Sequence, residues 1–543
     1  LICTFAFENN KLLKTIYTLT VLFLAFFFHT FSQNQTPASA PLMGYVDMHT
    51  HPRSDLAFGK ELFYGAPYDD IADALGSCKH EHGSNMIRTI VAAQTERMNN
   101  PEVSDNKIGY PNFTTWPSWG ATLHQQMWVD WIERAHNGGL NIMVALAVNN
   151  HCLASVAKTH GACDDGQVLL DCIKGIKDLV AHSTFMEIAL TPQDVRRIVA
   201  DGKLAVILGS EMDNIGNFYS PADNYKATFT PNPTEAQIKA ELDKIWELGI
   251  RYMFPVHMNN NVFGGSSLII PALNITNKFI TGAEFIPEQI STKESGISFH
   301  LKNPAEGLKP SAKLYMPLVL PKNVNPARKG NYSYWDTIPG FGHRNSLGIT
   351  DKGRFGIKYM MQKGFIIDID HMSEKMADEV FDMATKVDYP LNSGHSRVRG
   401  AAGDEGAHSV KQFVRIKNLG GMLGLQHVHN ASTFVRLYRE LIEIMDYKNV
   451  GIGTDANGFL ALPAPNPALK VTYDENFKPC TTGNRTWDIN VDGVAHYGLL
   501  PDYIKSMEVA GMTPKEKNVF MSSAESFTQM WEKCEQRKQQ VAP

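Results

Sequence analysis

Gly364–Arg397 reads GFIIDIDHMSEKMADEVFDMATKVDYPLNSGHSR, and the pattern of this stretch decides the fold. A short apolar run, Phe365-Ile366-Ile367-Asp368-Ile369, is rich in β-branched residues and ends at His371. Met376, Val380, Met383 and Ala384 then recur at helical spacing, and a second run, Tyr389 to Asn392, ends at His395. The segment reads as strand, helix, strand, with one histidine at the carboxyl end of each strand. In a parallel α/β barrel those ends form the catalytic face. Two neighbouring strands would bring two imidazoles to one point, which is how a metal ion is held.

The same rhythm runs outward in both directions. Met43–Met48 leads into His49-Thr50-His51, and Leu204–Gly209 leads into Ser210-Glu211. Ile250–Pro255 precedes Val256-His257, Gly421–Leu425 precedes Gln426-His427, and Val450–Gly453 precedes Thr454-Asp455. Ile87–Ala93 and Asn141–Val148 are both candidates for the second strand, with a helix expected between them over roughly Thr122–Ala135. Helical periodicity also covers Pro192–Ala200, Thr234–Leu248, Asp351–Lys363, Val410–Asn418 and Thr433–Tyr447. Strands alternating with helices, without a dinucleotide-type glycine pattern after the first, predict a closed TIM (β/α)8 barrel within the α/β class. The barrel is expected over 43–536, followed by a polar tail, 537–543. Two stretches break the rhythm. Residues 260–345 are too long for an ordinary connection and read as a functional lid or small subdomain over the catalytic face. Residues 460–493 form a shorter insertion, stiffened by Pro463, Pro465 and Pro467.

The chain has 543 residues, 43% apolar and 20% charged, as in a soluble globular protein. A formal charge of -5 gives no basic footprint for nucleic acid or anionic membrane. Lys11 and Lys14 precede an apolar stretch, Thr15–Phe31, and Thr30 and Ser32 supply the small residues of a cleavage site. Residues 1–32 are therefore expected to be a signal peptide with some upstream residues, and 33–42 a polar tether. An uncleaved anchor is the alternative, though the run is short for a span and contains His29. Export to a secreted or periplasmic location follows, with no stable span after cleavage. Of seven cysteines, Cys3 would leave with the signal. The six that remain permit disulfides, and none sits in a CxxC pair.

Polar residues that end strand candidates are the chemistry-bearing set. His49, His51, Glu211, His371, His395 and Asp455 are the candidate metal ligands, and His257 ends a strand in the same way. His49 and His51 are two apart, so on a strand they share a face. Nitrogen and oxygen donors without thiolate suit Zn, Mn, Fe or Ni, with Zn the default. The set exceeds what one tetrahedral ion needs, so two divalent metal ions bridged by a carboxylate are expected.

At this point the sequence resembles a known family, the membrane (renal-type) dipeptidases, metallopeptidases of the amidohydrolase superfamily. The resemblance rests on Asp201–Glu211, Leu248–Met253 through His257 to Asn260, Asn345–His371, Ser393-Gly394-His395-Ser396 and Val450–Asp455. It implies a binuclear zinc site in which His49 and His51 hold one metal and His371 and His395 the other, with Glu211 bridging. It further implies that Asp455 orients and deprotonates the bridging water, and that His257 contacts the scissile carbonyl or its oxyanion. Two departures stand out. The family usually has His-x-Asp on the first strand, where this chain has His49-Thr50-His51. The family's carboxylate-binding arginine falls where Gly400–Gly406 lies, with Arg397 and Arg399 nearby; these two and Arg344 are the substrate-binding candidates. The expected activity is hydrolysis of a small amide, first a dipeptide, by a metal-bridged hydroxide. Another small amide, an ester or a lactone is the alternative within enzymes, and a catalytically silent binding protein is the alternative outside them. The expected partner is a small-molecule or dipeptide substrate, and a homodimer is left open.

Overall fold

The computed structural model describes residues 40–78, 107–157, 161–218, 232–304, 306, 320–427 and 430–542. The expected signal peptide, most of the tether and the strand candidate Ile87–Ala93 lie outside the described residues. Leu1–Leu42 and Met43–Pro543 form two separate units, and the barrel lies wholly in the second.

Eight parallel strands succeed one another in chain order: β1 Tyr45–Thr50, β2 Leu140–Asn149, β3 Leu204–Met212, β4 Tyr252–Met253, β5 Ile366–Ile367, β6 Ser393–Ser396, β7 Leu423–Gln426 and β8 Val450–Gly453. β1 pairs with both β2 and β8, and a parallel bridge between Asp368 and Asn392 joins β5 to β6. The sheet thus closes on itself as a barrel. A ninth short strand, Met186–Ile188, pairs with the start of β3. Both faces of β1 and β3 are fully buried, which explains why they read as continuous apolar runs rather than alternating ones. The inside of the barrel is tight. A Cβ on Gly453 would stand 2.0 Å from the carbonyl oxygen of Gly394, so only glycine fits there.

Helix boundaries follow from their caps. Asp351–Lys363 starts where the Thr350 side chain accepts the Gly353 N–H and stops at Gly364, whose φ of 90° few other residues adopt. Val410–Asn418 starts at a reciprocal capping box between Ser409 and Gln412.

Four expectations need correction. The helix expected over Thr122–Ala135 spans Val129–Asn137. Gln125 and Gln126 are instead fully buried and bond the loop after β8, the Gln126 N–H donating to Asn457 Oδ1 at 3.0 Å. The strand expected over Tyr389–Asn392 is displaced to Ser393–Ser396, because Pro390 has no N–H for a ladder, and His395 therefore lies within the strand. Ile250–Pro255 contracts to the two residues of β4, and Phe365–Ile369 likewise to the two of β5.

The described part of the insertion between β4 and β5 has its own secondary structure and apolar cluster. It holds a helix, Leu273–Thr281, and an antiparallel hairpin of Pro287–Ser291 with Phe341–Asn345. One apolar cluster joins Ile275, Phe279, Ile280, Leu320, Val324 and Tyr332 to Cys152 and Val156 of the loop after β2. Its root wraps the loop after β5: the Ser267 N–H donates to the His371 carbonyl at 2.8 Å. The 460–493 insertion carries a second hairpin, Cys480–Thr482 with Arg485–Trp487. No disulfide joins the six described cysteines. Among the described residues no helix is long and apolar enough to cross a membrane.

Candidate metal centre

Every expected ligand sits at the carboxyl end of its strand or in the loop just after it, and all are buried. His49 and His51 are each 1% exposed, Glu211 is 2% exposed, and His371, His395 and Asp455 lie between 7% and 8%. The side-chain alternation of β1 sends both imidazoles to the same side, with their Nε2 atoms 3.0 Å apart.

Around that point four donors converge. Glu211 Oε2 lies 3.2 Å from Nε2 of His49 and 3.2 Å from Nε2 of His51. Asp455 Oδ1 lies 3.6 Å and 3.2 Å from the same two nitrogens. The other oxygen of Glu211 faces a second group. Its Oε1 is 3.1 Å from His371 Nε2, which is 2.9 Å from His395 Nε2. His257 Nε2 stands 3.8 Å from the same Oε1. A tetrahedral ion with bonds of about 2.0–2.1 Å spaces its donors about 3.3–3.4 Å apart, so these separations suit shared coordination. The residues fit two ions on chemistry as well. Glu211 Oε1 is buried without a hydrogen-bond partner among the described residues, a costly state for a carboxylate oxygen that faces only imidazoles.

The electrostatics of the protein alone ask for positive charge at this point. Burial would raise the Glu211 carboxyl, but His49 and His257 hold it well below the usual carboxylate range. Burial would lower His51, yet Asp455 and Glu211 beside it push it up to about 9. His371 goes the other way: burial brings it down to about 3, leaving it neutral and able to ligate. Two ligands carry backbone strain, with φ of 65° at His371 and 51° at Asp455. Non-glycine residues in that region concentrate at functional sites.

Behind the donors lies a layer the sequence reading missed. Asp370 Oδ2 accepts from Nδ1 of His395 at 2.8 Å and from its backbone N–H at 2.8 Å. Asp213 Oδ1 is 3.2 Å from His257 Nδ1, without hydrogen-bond alignment, and accepts the Met258 N–H at 2.7 Å. Asp47 accepts from the backbone N–H groups of His49 and Thr454 and so ties β1 to β8. A carboxylate one or two residues from a ligand was the available signal, in Asp47-Met48-His49, Glu211-Met212-Asp213 and Asp370-His371.

The three arginines singled out for substrate binding are each engaged by acids. Arg397 makes a two-pronged pair with Asp404 at 2.7 and 2.6 Å. Arg344 bonds Glu288 at 2.6 Å and Glu374 at 2.8 Å. Arg399 bonds Glu374 and the carbonyls of Ala407, Ser295 and Glu405.

Neither a protein-family model nor a curated protein sequence matches the chain. Solved structures do. A metallo peptidase of family M19, dipeptidase AC, is 15% identical with a TM-score of 0.44, over 74% of this chain and 88% of its own. A metallo peptidase from Rhodobacter sphaeroides, liganded with a phosphinate mimic of the dipeptide L-Ala-D-Ala, is 15% identical with a TM-score of 0.44, over 74% and 89%. A probable dipeptidase from Pseudomonas aeruginosa, PvdM, is 14% identical with a TM-score of 0.42, over 76% and 89%. At TM-scores below 0.5 these likenesses carry no weight for activity, which is read from the buried donors themselves.

Proposed function

We propose that this chain is an exported metal-dependent hydrolase that cleaves a small amide bond, with a dipeptide as the first substrate class. The observation that carries the reading is the split of Glu211, whose two oxygens face two separate groups of histidines. When bound, two divalent ions, zinc by the donor set, would polarise the carbonyl and lower the pKa of the attacking water towards neutrality. His49, His51 and Asp455 would hold one, His371 and His395 the other, with Glu211 between them.

The remaining chemistry belongs to the chain. Asp455 takes the proton of the attacking water at its carboxylate and returns it to the leaving amine. His257, with Asp213 Oδ1 3.2 Å from its Nδ1, donates to the carbonyl oxygen as negative charge develops there. The buried surroundings strengthen both interactions relative to water.

A second reading is favoured by one observation. Arg397, Arg399 and Arg344 are already paired, so a substrate carboxylate would have to displace Asp404, Glu374 or Glu288. That favours a neutral amide, an ester or a lactone. A screen of the zinc-, manganese- and cobalt-loaded protein against dipeptides, their C-terminally amidated forms, N-acyl amino acids and lactones separates the two. Preference for the free carboxylate supports the dipeptide reading. Equal turnover of amidated forms defeats it and leaves the hydrolase.

A further inference from the structure

His395 is the one imidazole of the four expected ligands whose far nitrogen is backed by a carboxylate among the described residues. Its Nδ1 bonds Asp370, whereas the Nδ1 atoms of His49, His51 and His371 have no such partner. The backing carboxylate is itself held by a residue thirteen positions beyond His395. His408 Nε2 lies 2.6 Å from Asp370 Oδ1. Ser393 Oγ donates to the same oxygen, so among the described residues the hydrogen bonds accepted by the Asp370 carboxylate come from β6 and from His408.

His408 is held in place by its backbone and by its ring. It is 3% exposed, its backbone N–H donates to Arg397 O at 2.8 Å, and its carbonyl accepts the Arg399 N–H at 2.9 Å. Its ring meets Phe413 edge-on at 6.1 Å, which fixes the imidazole plane. The result is an unbroken chain, His408–Asp370–His395. With Asp370 accepting at both oxygens, His395 carries its proton on Nδ1 and turns the Nε2 lone pair toward His371 and Glu211. The His395 ring also stacks on His49 at 4.0 Å and 27°, which sets its tilt, so Asp370 is left to set its rotation.

We infer that His408 is a positioning residue that acts through Asp370 on His395 and thereby selectively strengthens the hold on the ion shared by His371 and His395. The inference rests on the two-ion reading above. Partners of this kind are worth roughly 10- to 100-fold in metal affinity when removed. Of these three residues only His395 touches His49, through its stacked ring, and nothing hydrogen-bonded to His49, His51 or Asp455 reaches Asp370 among the described residues, so the other ion should hold its affinity.

The test is titration of the metal-free full chain with zinc buffered by a competing chelator, resolving the two binding steps. His408→Met keeps the apolar bulk against Phe413 but donates nothing; His408→Gln keeps an N–H donor near the Nε2 position. The expected result is a 10- to 100-fold weakening of one step only in His408→Met, largely restored in His408→Gln. Should His408→Met fail to fold, His408→Asn, too short to reach Asp370, replaces it with the same expectation. Unchanged binding in the apolar or short variant, equal weakening of both steps, or a Gln variant no better than Met would each overturn the inference. A wild-type chain that takes up no zinc would instead defeat the two-ion reading.

Discussion

A Cβ placed on Gly458 would stand 1.7 Å from Oδ1 of Asp455 and 2.8 Å from Cδ2 of His51. The glycine is what lets the Asp455 carboxylate lie against the histidine pair. Gly458→Ala should therefore force that carboxylate out of the centre while leaving the barrel intact. The expected outcome is a loss of turnover of roughly 100-fold or more, with a melting temperature close to wild type. Comparing kcat and Tm of the variant checks this, and normal turnover would show that Asp455 need not sit where it does.

Asp455→Asn separates proton transfer from metal retention. The amide keeps an oxygen for coordination but cannot take a proton, so turnover should drop by roughly 100- to 10,000-fold while bound metal is kept. Glu211→Gln should behave oppositely. A neutral amide cannot offer a charged oxygen to each of two cations, so metal should be lost on dialysis. Elemental analysis alongside kinetics distinguishes the two variants.

Much of this centre could be read directly from the chain, for a physical reason. In a barrel with buried strands, an apolar run must end where the backbone reaches the catalytic face, so His49, Glu211, His371 and Asp455 are located by where the runs stop. The carboxylates behind them could not be assigned partners that way. Asp370 meets His408 across a loop, and Asp47 meets Thr454 across the barrel closure, contacts that no local spacing encodes. The displaced sixth strand has a similar origin. Tyr389 is apolar because it is buried with its hydroxyl on the Phe365 carbonyl, not because it belongs to the ladder. Helix ends fared better, since Thr350 and Ser409 cap their own helices with contacts three residues away.

Glu405 offers a pH test of how the insertion between β4 and β5 is fastened. Its Oε2 accepts the N–H of Leu268 and of Asn345, both at 2.8 Å, and its Oε1 accepts the N–H of Glu374 at 2.9 Å. One carboxyl group therefore joins both ends of the insertion to the helix after His371. Burial is the main influence on it and, against those three donors, pushes its pKa up to about 7. In the unfolded chain a glutamate titrates near about 4.3. Between these values the native protein holds a proton the unfolded one lacks, so this group's contribution to stability is greatest at low pH and falls as pH rises towards 7. Glu405→Gln removes the titration. The difference in urea midpoint between wild type and variant should favour wild type most near pH 5 and shrink by pH 7; a difference that grows with pH would contradict the assignment.

Arg399 is expected to fasten the root of the same insertion. Its side chain is 4% exposed and bonds Glu374 together with three backbone carbonyls. Arg399→Ala leaves Glu374 with Arg344 alone and should cost about 3 kcal/mol or more of stability. Denaturant unfolding measures the loss. A stable variant with raised KM for carboxylate-bearing substrates alone would show that this arginine serves the substrate instead.

The metal content of the chain purified without added metal decides whether the buried donors form a metal centre. Elemental analysis should return close to two divalent ions per chain, with both ions and activity lost to chelation and regained with zinc, manganese or cobalt. A chain that carries no such metal, and gains neither bound metal nor hydrolytic activity when it is supplied, would contradict the account.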